Sequence, residues 1–155
     1  MSKHVSPHDS VGAGDPLVLH ETLADTPLAK YFKAAVKFAS SDLIMRGGQA
    51  PKLRLRGELK ALDTTPPTIE EFTKWIHDGL TDEQVQQYAD HGSLDVGCDF
   101  NVDGDSHRFR VNIFLTRGRS AIAARRVSNE ILDFSQLHLP EVMNNIVLVR
   151  QGLVL

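Results

Sequence analysis

Hydrophobic and polar residues alternate most clearly in the second half of the chain, where two segments have the period of two that is typical of strands and a third strand candidate follows. Apolar side chains occupy every second position over residues 96–102 and again over residues 109–115, and residues 121–127 form the third segment. Residues 103–105, Asp-Gly-Asp, and residues 117–119, Arg-Gly-Arg, separate them and have the composition of hairpin turns. This pattern predicts an antiparallel meander with one buried face.

Helical spacing dominates the first half of the chain. A first helix is predicted to start at Thr26, with Pro27 in its first turn, where the missing N–H costs nothing. Its apolar face has the helical period and consists of Leu28, Tyr31, Phe32, Ala35, Val36 and Ala39. Two further helices are predicted after residue 67 because two threonines have a Glu or Gln three residues later, the spacing of a capping box. These pairs are Thr68 with Glu71 and Thr81 with Gln84.

Short strands are predicted between the first two helices. Residues 43–45 form one candidate, and residues 52–56 alternate strictly, with leucines on one face and cations on the other. Gly57 opens a turn, after which residues 59–62 are expected to pair back as a hairpin. The whole pattern predicts an α+β domain, an antiparallel sheet with flanking helices.

Both ends of the chain differ from this central region. Residues 1–15 are rich in Ser, His, Gly and Asp, which predicts a disordered tail. Residues 137–146 are expected to form a turn and a short helix, and the apolar run at 150–155 reads as a buried strand of a further domain. We therefore divide the chain into a tail at 1–25, a domain at 26–135, and a linker with a first strand at 136–155.

Composition narrows the class of protein. The chain has 155 residues, 41% hydrophobic and 24% charged, which suits one soluble globular domain. Its net charge of −3 disfavours binding to nucleic acid or to an anionic membrane. The single cysteine, Cys98, excludes an internal disulfide and an all-cysteine metal site. A cytoplasmic location is the default expectation.

Residues 99–105 have acidic and amide side chains at alternate positions and a glycine at the bend, as in the first half of a calcium loop. The glutamate that would close such a loop should stand at position 110, which is Arg110. A cation there opposes metal binding, so a hairpin turn is the preferred interpretation and no metal site is predicted. No pair of acidic residues or nucleophile stands in a signature of catalysis, so no catalytic residue is predicted in this chain.

A basic face is the strongest candidate for a binding site. The period of two places Arg108, Arg110 and Asn112 on one face of a strand, and Arg125 lies on the strand that returns. Guanidinium groups on one sheet face suit a phosphate, because each offers a planar fork of donors and stays charged. The alternative is that these cations pair with acidic residues of the neighbouring strand. Those residues are Asp95 and Asp99.

Several stretches, in order along residues 26–155, resemble the type II and type IV secretion ATPase superfamily. Residues 39–43 resemble its Ser-Asp-Leu opening, and five later positions fit the same motif: Gly48, Pro51, Arg54, Gly57 and Leu59. Residues 108–112, Arg-Phe-Arg-Val-Asn, resemble a strand of the type IV pilus retraction branch, the PilT type. Residues 152–155, Gly-Leu-Val-Leu, resemble the segment that leads into the P-loop of these motors.

The resemblance implies a PAS-like N-terminal domain that precedes a RecA-like motor domain in a hexameric ring. Such rings hydrolyse ATP with Mg and drive twitching motility or secretion from the cytoplasmic side of the inner membrane, together with the pilus or secretion machinery. Residues at the positions of Arg110 and Arg125 reach the phosphates of ATP, and Arg108 and Asn112 share their face. This chain has no Walker A or Walker B motif, so the resemblance implies no hydrolysis, and at most weak ATP binding, by this chain alone.

The sequence also departs from the family pattern and leaves alternatives. Ile44 stands where the family has His, and Arg56 where it has Asp. One alternative is a free-standing PAS-like sensor or interaction module that binds a small ligand or a partner protein. Another is the N-terminal domain of an assembly ATPase of type II or type IV secretion. Nucleic-acid binding through the arginines is disfavoured by the acidic balance of the chain.

Overall fold

The computed structural model describes residues 21–128, 131–149 and 151–152. Its strands are β1 (Asp42–Arg46), β2 (Lys52–Leu55), β3 (Glu58–Ala61), β4 (Ser93–Val102), β5 (Asp105–Thr116) and β6 (Arg119–Arg126). They form one antiparallel sheet in the order β3-β2-β1-β6-β5-β4. The meander predicted for the second half is therefore confirmed as β4-β5-β6, and the predicted hairpin as β2-β3.

Helices pack on one face of this sheet. They are a 3-10 helix (Glu21–Asp25), α1 (Ala29–Lys37), α2 (Ile69–Asp78) and α3 (Asp82–His91). A short helix after the last strand, α4 (Val142–Ile146), has no buried residue. Inward side chains from the three long strands meet α1 in the core, where the largest buried residues are aromatic: Phe32, Phe72, Phe100 and Phe109. The predicted α+β architecture, an antiparallel sheet with flanking helices, is thus confirmed.

The two predicted capping boxes are both present. The amide of Glu71 donates to Thr68 Oγ1 at 3.1 Å, and the amide of Thr68 donates to Glu71 Oε2 at 2.9 Å. Thr81 and Gln84 make the same reciprocal pair at 3.0 and 3.3 Å. Each pair satisfies two N–H groups that a helix start leaves without a helical partner. Local sequence alone therefore determines where α2 and α3 begin.

The start of α1 differs from the prediction. The helix begins at Ala29 instead of Thr26, because the Thr26 hydroxyl bonds to the Leu23 carbonyl at 2.9 Å and closes the preceding 3-10 helix. Ala39 does not belong to its apolar face, since it follows the helix with a φ of 50° and is exposed. The other predicted members of that face are buried or packed against the core.

One predicted core position on β5 is wrong. Leu115 follows the alternation of Phe109, Val111 and Ile113, yet its side chain is exposed. It lies next to the turn at 117–118, at the far end of the longest strand. The period of two shows which face a residue points to, but it does not show where the covering helices stop.

Gly47, directly after β1, is where α2 comes closest to the sheet. A Cβ atom there would lie 2.9 Å from the Cα of Ile69 and 3.5 Å from the Cβ of Phe72. We predict that Gly47→Ala lowers the free energy of unfolding by about 1–3 kcal/mol, because backbone must move to admit the methyl group. Urea unfolding measures this. Gly97→Ala is the matched control, since a Cβ at Gly97 meets no atom within 4 Å; an equal loss in both variants would contradict the packing argument.

The two ends of the chain are described only in part. Residues 1–20 and 153–155 lie outside the described residues, and with them most of the predicted tail and the end of the predicted terminal strand. Inside the span predicted as tail, the 3-10 helix Glu21–Asp25 is formed and Leu23 is buried. The division into a tail, a domain and a linker stays a prediction. No helix in the described ranges has the length and apolar character needed to cross a bilayer.

Candidate functional site

The candidate site lies on the sheet face that points away from the core helices. Strand register places four charged residues in one row across the sheet. Arg110 on β5 is directly opposite Arg125 on β6, Arg125 is opposite Asp42 on β1, and Asp42 is opposite Arg54 on β2. We call these four residues, Arg110, Arg125, Asp42 and Arg54, the arginine row.

Asp42 lies at the centre of the arginine row and contacts both of its neighbours. Its Oδ1 accepts a hydrogen bond from Arg125 Nε at 2.9 Å, and its Oδ2 lies 3.2 Å from Arg54 Nε. The Ser41 hydroxyl also donates to Oδ2, at 2.8 Å. The side chain of Asp42 is 14% exposed, whereas that of Arg125 is 76% exposed. The carboxylate therefore lies at the base of the site, with the guanidinium of Arg125 above it.

These contacts lower the pKa of Asp42. Partial burial on its own raises the pKa of this carboxyl group. Hydrogen bonds from Arg125 and Ser41, together with the positive charges of Arg125 and Arg54, outweigh that effect and hold the pKa of Asp42 below its ordinary value of 3.8. Asp42 is therefore an anion at neutral pH and a permanent counter-ion for the row.

The other arginines of this face also have acidic neighbours. Arg110 Nε lies 3.6 Å from Asp95 Oδ1, and Arg108 Nε lies 3.3 Å from Asp99 Oδ1. The cross-strand pairing considered as the alternative for the basic face is therefore present. Such solvent-exposed pairs contribute only about 0–1 kcal/mol each. A stronger anion can therefore take these guanidinium groups from their partners at little cost.

The arginine row borders a shallow depression with a volume of about 520 Å³. It is lined by Asp42, Ile44, Arg54, Asp95, Arg110, Asn112, Ala123, Ala124 and Arg125. The structure thus brings together three of the four predicted site residues, Arg110, Arg125 and Asn112. Arg108 lies on β5 two residues before Arg110. It is paired with Asp99 and does not line the depression. All four remain predictions as ligand contacts.

Sequence reasoning missed Asp42 and Arg54 as members of the site, although both belong to the opening motif that carried the family resemblance. The available signal was the alternation in residues 52–56, which put the cations of β2 on one face. That signal could not show that β1 lies between β2 and β6. Only this strand order sets the carboxylate of Asp42 between two arginines.

The charges around the depression suit an anion. Three guanidinium groups, from Arg54, Arg110 and Arg125, face two carboxylates, from Asp42 and Asp95, which leaves one net positive charge. Guanidinium groups bind phosphate oxygens through several N–H donors in a fixed plane. The open shape and the single excess charge of the depression therefore suit a phosphate-like anion.

Other reactive side chains in the described part of the chain do not build a second centre. Burial, together with the charge of Asp99, raises the pKa of Cys98 to about 12, so this thiol is not a nucleophile at neutral pH. Residues 99–105 form the β4-β5 hairpin, as preferred over a calcium loop, and Asp99 pairs with Arg108. Among residues 21–128, 131–149 and 151–152, no group of three or more His, Cys, Asp or Glu side chains is placed to hold a metal ion.

Comparison with known proteins indicates the class: the chain is similar to type IV pilus ATPases. It is 25% identical over 127 residues to the type IV pilus ATPase PilU of Pseudomonas aeruginosa, covering 81% of this chain and 32% of PilU. It is 27% identical over 121 residues to the retraction ATPase PilT of the same organism, covering 78% of this chain and 34% of PilT. No protein-family model matches the chain.

Solved structures agree with this relationship. The crystal structure of the pilus retraction motor PilT with bound ADP matches 72% of this chain and 32% of that chain, at 32% identity and a TM-score of 0.60. The Legionella pneumophila ATPase DotB matches 89% of this chain and 38% of that chain, with a TM-score of 0.62. Its identity of 18% shows a shared fold alone. The chain spans about a third of the length of the curated relatives it matches.

Proposed function

We propose that this chain is the PAS-like N-terminal domain of a hexameric type IV pilus retraction ATPase, which acts in twitching motility. Its function is to close over ATP that a RecA-like motor domain holds, and to contact neighbouring subunits of the ring. The observation that carries the proposal is the arginine row, in which Arg110 and Arg125 lie directly opposite each other on an exposed sheet face. The bound ADP in the structure of PilT, a relative, supports nucleotide as the ligand.

Rigidity makes this face suitable for its proposed role. Arg110 and Arg125 lie on two long, directly paired strands of the six-stranded sheet, neither of which is an edge strand, so their backbones keep a fixed spacing. Their guanidinium groups project away from the buried core into solvent. When the domain closes, both groups approach the same anion together. Fixed donors of this kind stabilise the charge that develops on a transferring phosphoryl group, as an arginine finger does.

Chemistry would be divided between the two domains. The residues that line the depression offer guanidinium and amide donors, so this domain would bind and orient phosphate and exclude water from one side. The motor domain would supply the P-loop and the residues that hold Mg. Asn112, which also lines the depression, adds an amide next to Arg110 on the same strand face.

Subunit contacts are assigned to the segment that follows the sheet. Residues 131–149 expose an unusual number of large apolar side chains: Ile131, Leu132, Leu137, Leu139, Val142, Val147, Leu148 and Val149. Exposed apolar side chains in such density mark a contact surface. We assign this surface to the motor domain and the ring, and the assembled machine to the cytoplasmic side of the inner membrane, beside the pilus machinery.

The gene sequence downstream of codon 155 tests this function first. We expect a Gly-x-x-x-x-Gly-Lys-Ser/Thr motif within about ten codons, since the P-loop follows a strand of this type in such motors. The longer protein should then hydrolyse ATP, whereas the 155-residue chain should not. A stop codon at that position would contradict the motor assignment and favour a free-standing sensor or interaction module.

A further inference from the structure

We propose that Asp42 is a positioning residue that serves as an internal substitute for phosphate in the arginine row. Its carboxylate orients Arg125 in the free domain, and its negative charge weakens the attraction of that guanidinium for an incoming phosphate group. The inference rests on the proposed function only for the identity of the ligand, a nucleotide phosphate chain. It gives the Ser-Asp of the opening motif a role that the comparisons do not assign.

The carboxylate of Asp42 is fixed from both sides. Oδ1 is used by Arg125 at 2.9 Å, while Oδ2 is used by Arg54 at 3.2 Å and by the Ser41 hydroxyl at 2.8 Å. Asp42 also lies on β1, whose backbone pairs with β2 on one side and β6 on the other. The anion therefore cannot move with Arg125 when that arginine turns toward a ligand.

Depth decides which group a ligand meets first. Asp42 lies at the base of the depression, and the side chain of Arg125 extends above it into solvent. Arg125 contacts Asp42 through Nε, and a guanidinium has five N–H donors, so donors remain for a phosphate that arrives from above. The resting contact thus holds the plane of Arg125 without using all of its donors.

Charge balance gives Asp42 a second effect. Arg110 and Arg125 are cross-strand neighbours of the same sign, an arrangement that destabilises a sheet unless a counter-ion lies nearby. Asp42 supplies that counter-ion, and it also reduces the attraction of the row for a free anion. Its removal would raise the affinity for free phosphate chains while the orientation of Arg125 is lost. If Asp42 only supported the fold, its removal would lower the affinity for phosphate chains along with the order of Arg125.

Asp42→Asn in this chain tests the proposal, with inorganic tripolyphosphate as the probe and calorimetry as the measurement. We expect tripolyphosphate to bind about tenfold more tightly than to the wild-type chain, because one negative charge beside the binding guanidinium groups is removed at a partly exposed site. Because the gain is electrostatic, it should shrink as salt is added. Asp99→Asn is the control: it removes a carboxylate from Arg108 on the same face, outside the depression, and should change the affinity little.

A folded Asp42→Asn variant that binds tripolyphosphate no more tightly than the wild type would overturn the proposal. A second measurement uses the wild-type chain, so it tests the proposal even if the Asp42→Asn variant fails to fold. In NMR spectra of the wild-type chain, the Nε–H signal of Arg125 should be visible because this group donates a hydrogen bond to Asp42, and the signal should shift on addition of tripolyphosphate. A signal that stays in place at saturating ligand would also overturn the proposal.

The two proposals fail separately. Tighter binding by Asp42→Asn combined with a downstream stop codon would keep the phosphate substitute and reject the motor. A downstream P-loop combined with unchanged binding would keep the motor and reject the role of Asp42.

Discussion

Replacing Arg125 by alanine in the protein that carries the motor domain is expected to lower ATP turnover by about a thousandfold, the lower end of the range for an arginine finger. The side chain is 76% exposed in the free domain and contacts Asp42 at 2.9 Å. Its removal should therefore leave the sheet folded. The loss should appear in kcat, because the guanidinium acts on charge that develops during transfer of the phosphoryl group.

Arg110 provides an independent test of the same site. It lies directly opposite Arg125, and its Nε lies 3.6 Å from a carboxylate oxygen of the exposed Asp95. Arg110→Ala should also reduce turnover while the far-ultraviolet circular dichroism spectrum stays that of the wild type. Arg119→Ala is a suitable control, because Arg119 lies on the same strand face as Arg125, is exposed, and does not line the depression. Wild-type turnover in both Arg110→Ala and Arg125→Ala would reject the assignment.

Phe32→Ala is expected to give the largest loss of stability, about 3–5 kcal/mol in the free energy of unfolding. Phe32 stacks on Phe100 with a centroid distance of 4.1 Å and meets the edge of Phe109 at 5.2 Å. Phe100 and Phe109 meet edge to face at 5.7 Å, so the three rings join α1 to both long strands of the β4-β5 hairpin. Truncating the central ring leaves a cavity that close-packed neighbours fill only in part.

Urea unfolding compares this variant with Phe38→Ala, which makes the same chemical change just past the end of the same helix. Phe32 is fully buried, at 0% exposure, whereas Phe38 is 59% exposed. We expect Phe38→Ala to change the free energy of unfolding by no more than about 0.5 kcal/mol, as for other surface substitutions. Equal losses in the two variants would show that the ring cluster is not the main support of α1.

Local signals in the sequence predicted the elements of this fold well. The capping boxes at Thr68 and Thr81 determine two helix starts because both partners of each hydrogen bond lie within four residues. The meander followed from alternation and from Asp-Gly and Arg-Gly turns. The start of α1 was missed because Thr26 bonds backward to Leu23, a contact that no helix pattern contains.

The candidate site was predicted only in part, for a reason of topology. Arg110 and Arg125 lie on strands joined by a tight turn, so alternation alone places them on one face. Asp42 and Arg54 reach the same face from the other half of the chain. Asp42 and Arg125 are 83 residues apart in the sequence, and no local pattern predicts that their strands are neighbours.

The position of β1 also affects how the chain folds. Two three-stranded meanders, β1-β2-β3 and β4-β5-β6, close over short turns, and the β1-β6 ladder alone connects them within the sheet. Most of the entropy lost in closing long loops therefore falls on that one ladder. Asp42 and Arg125 face each other across it. The ion pair between Asp42 and Arg125 thus forms only after the two meanders have paired. Each meander can form its own hairpins before that step.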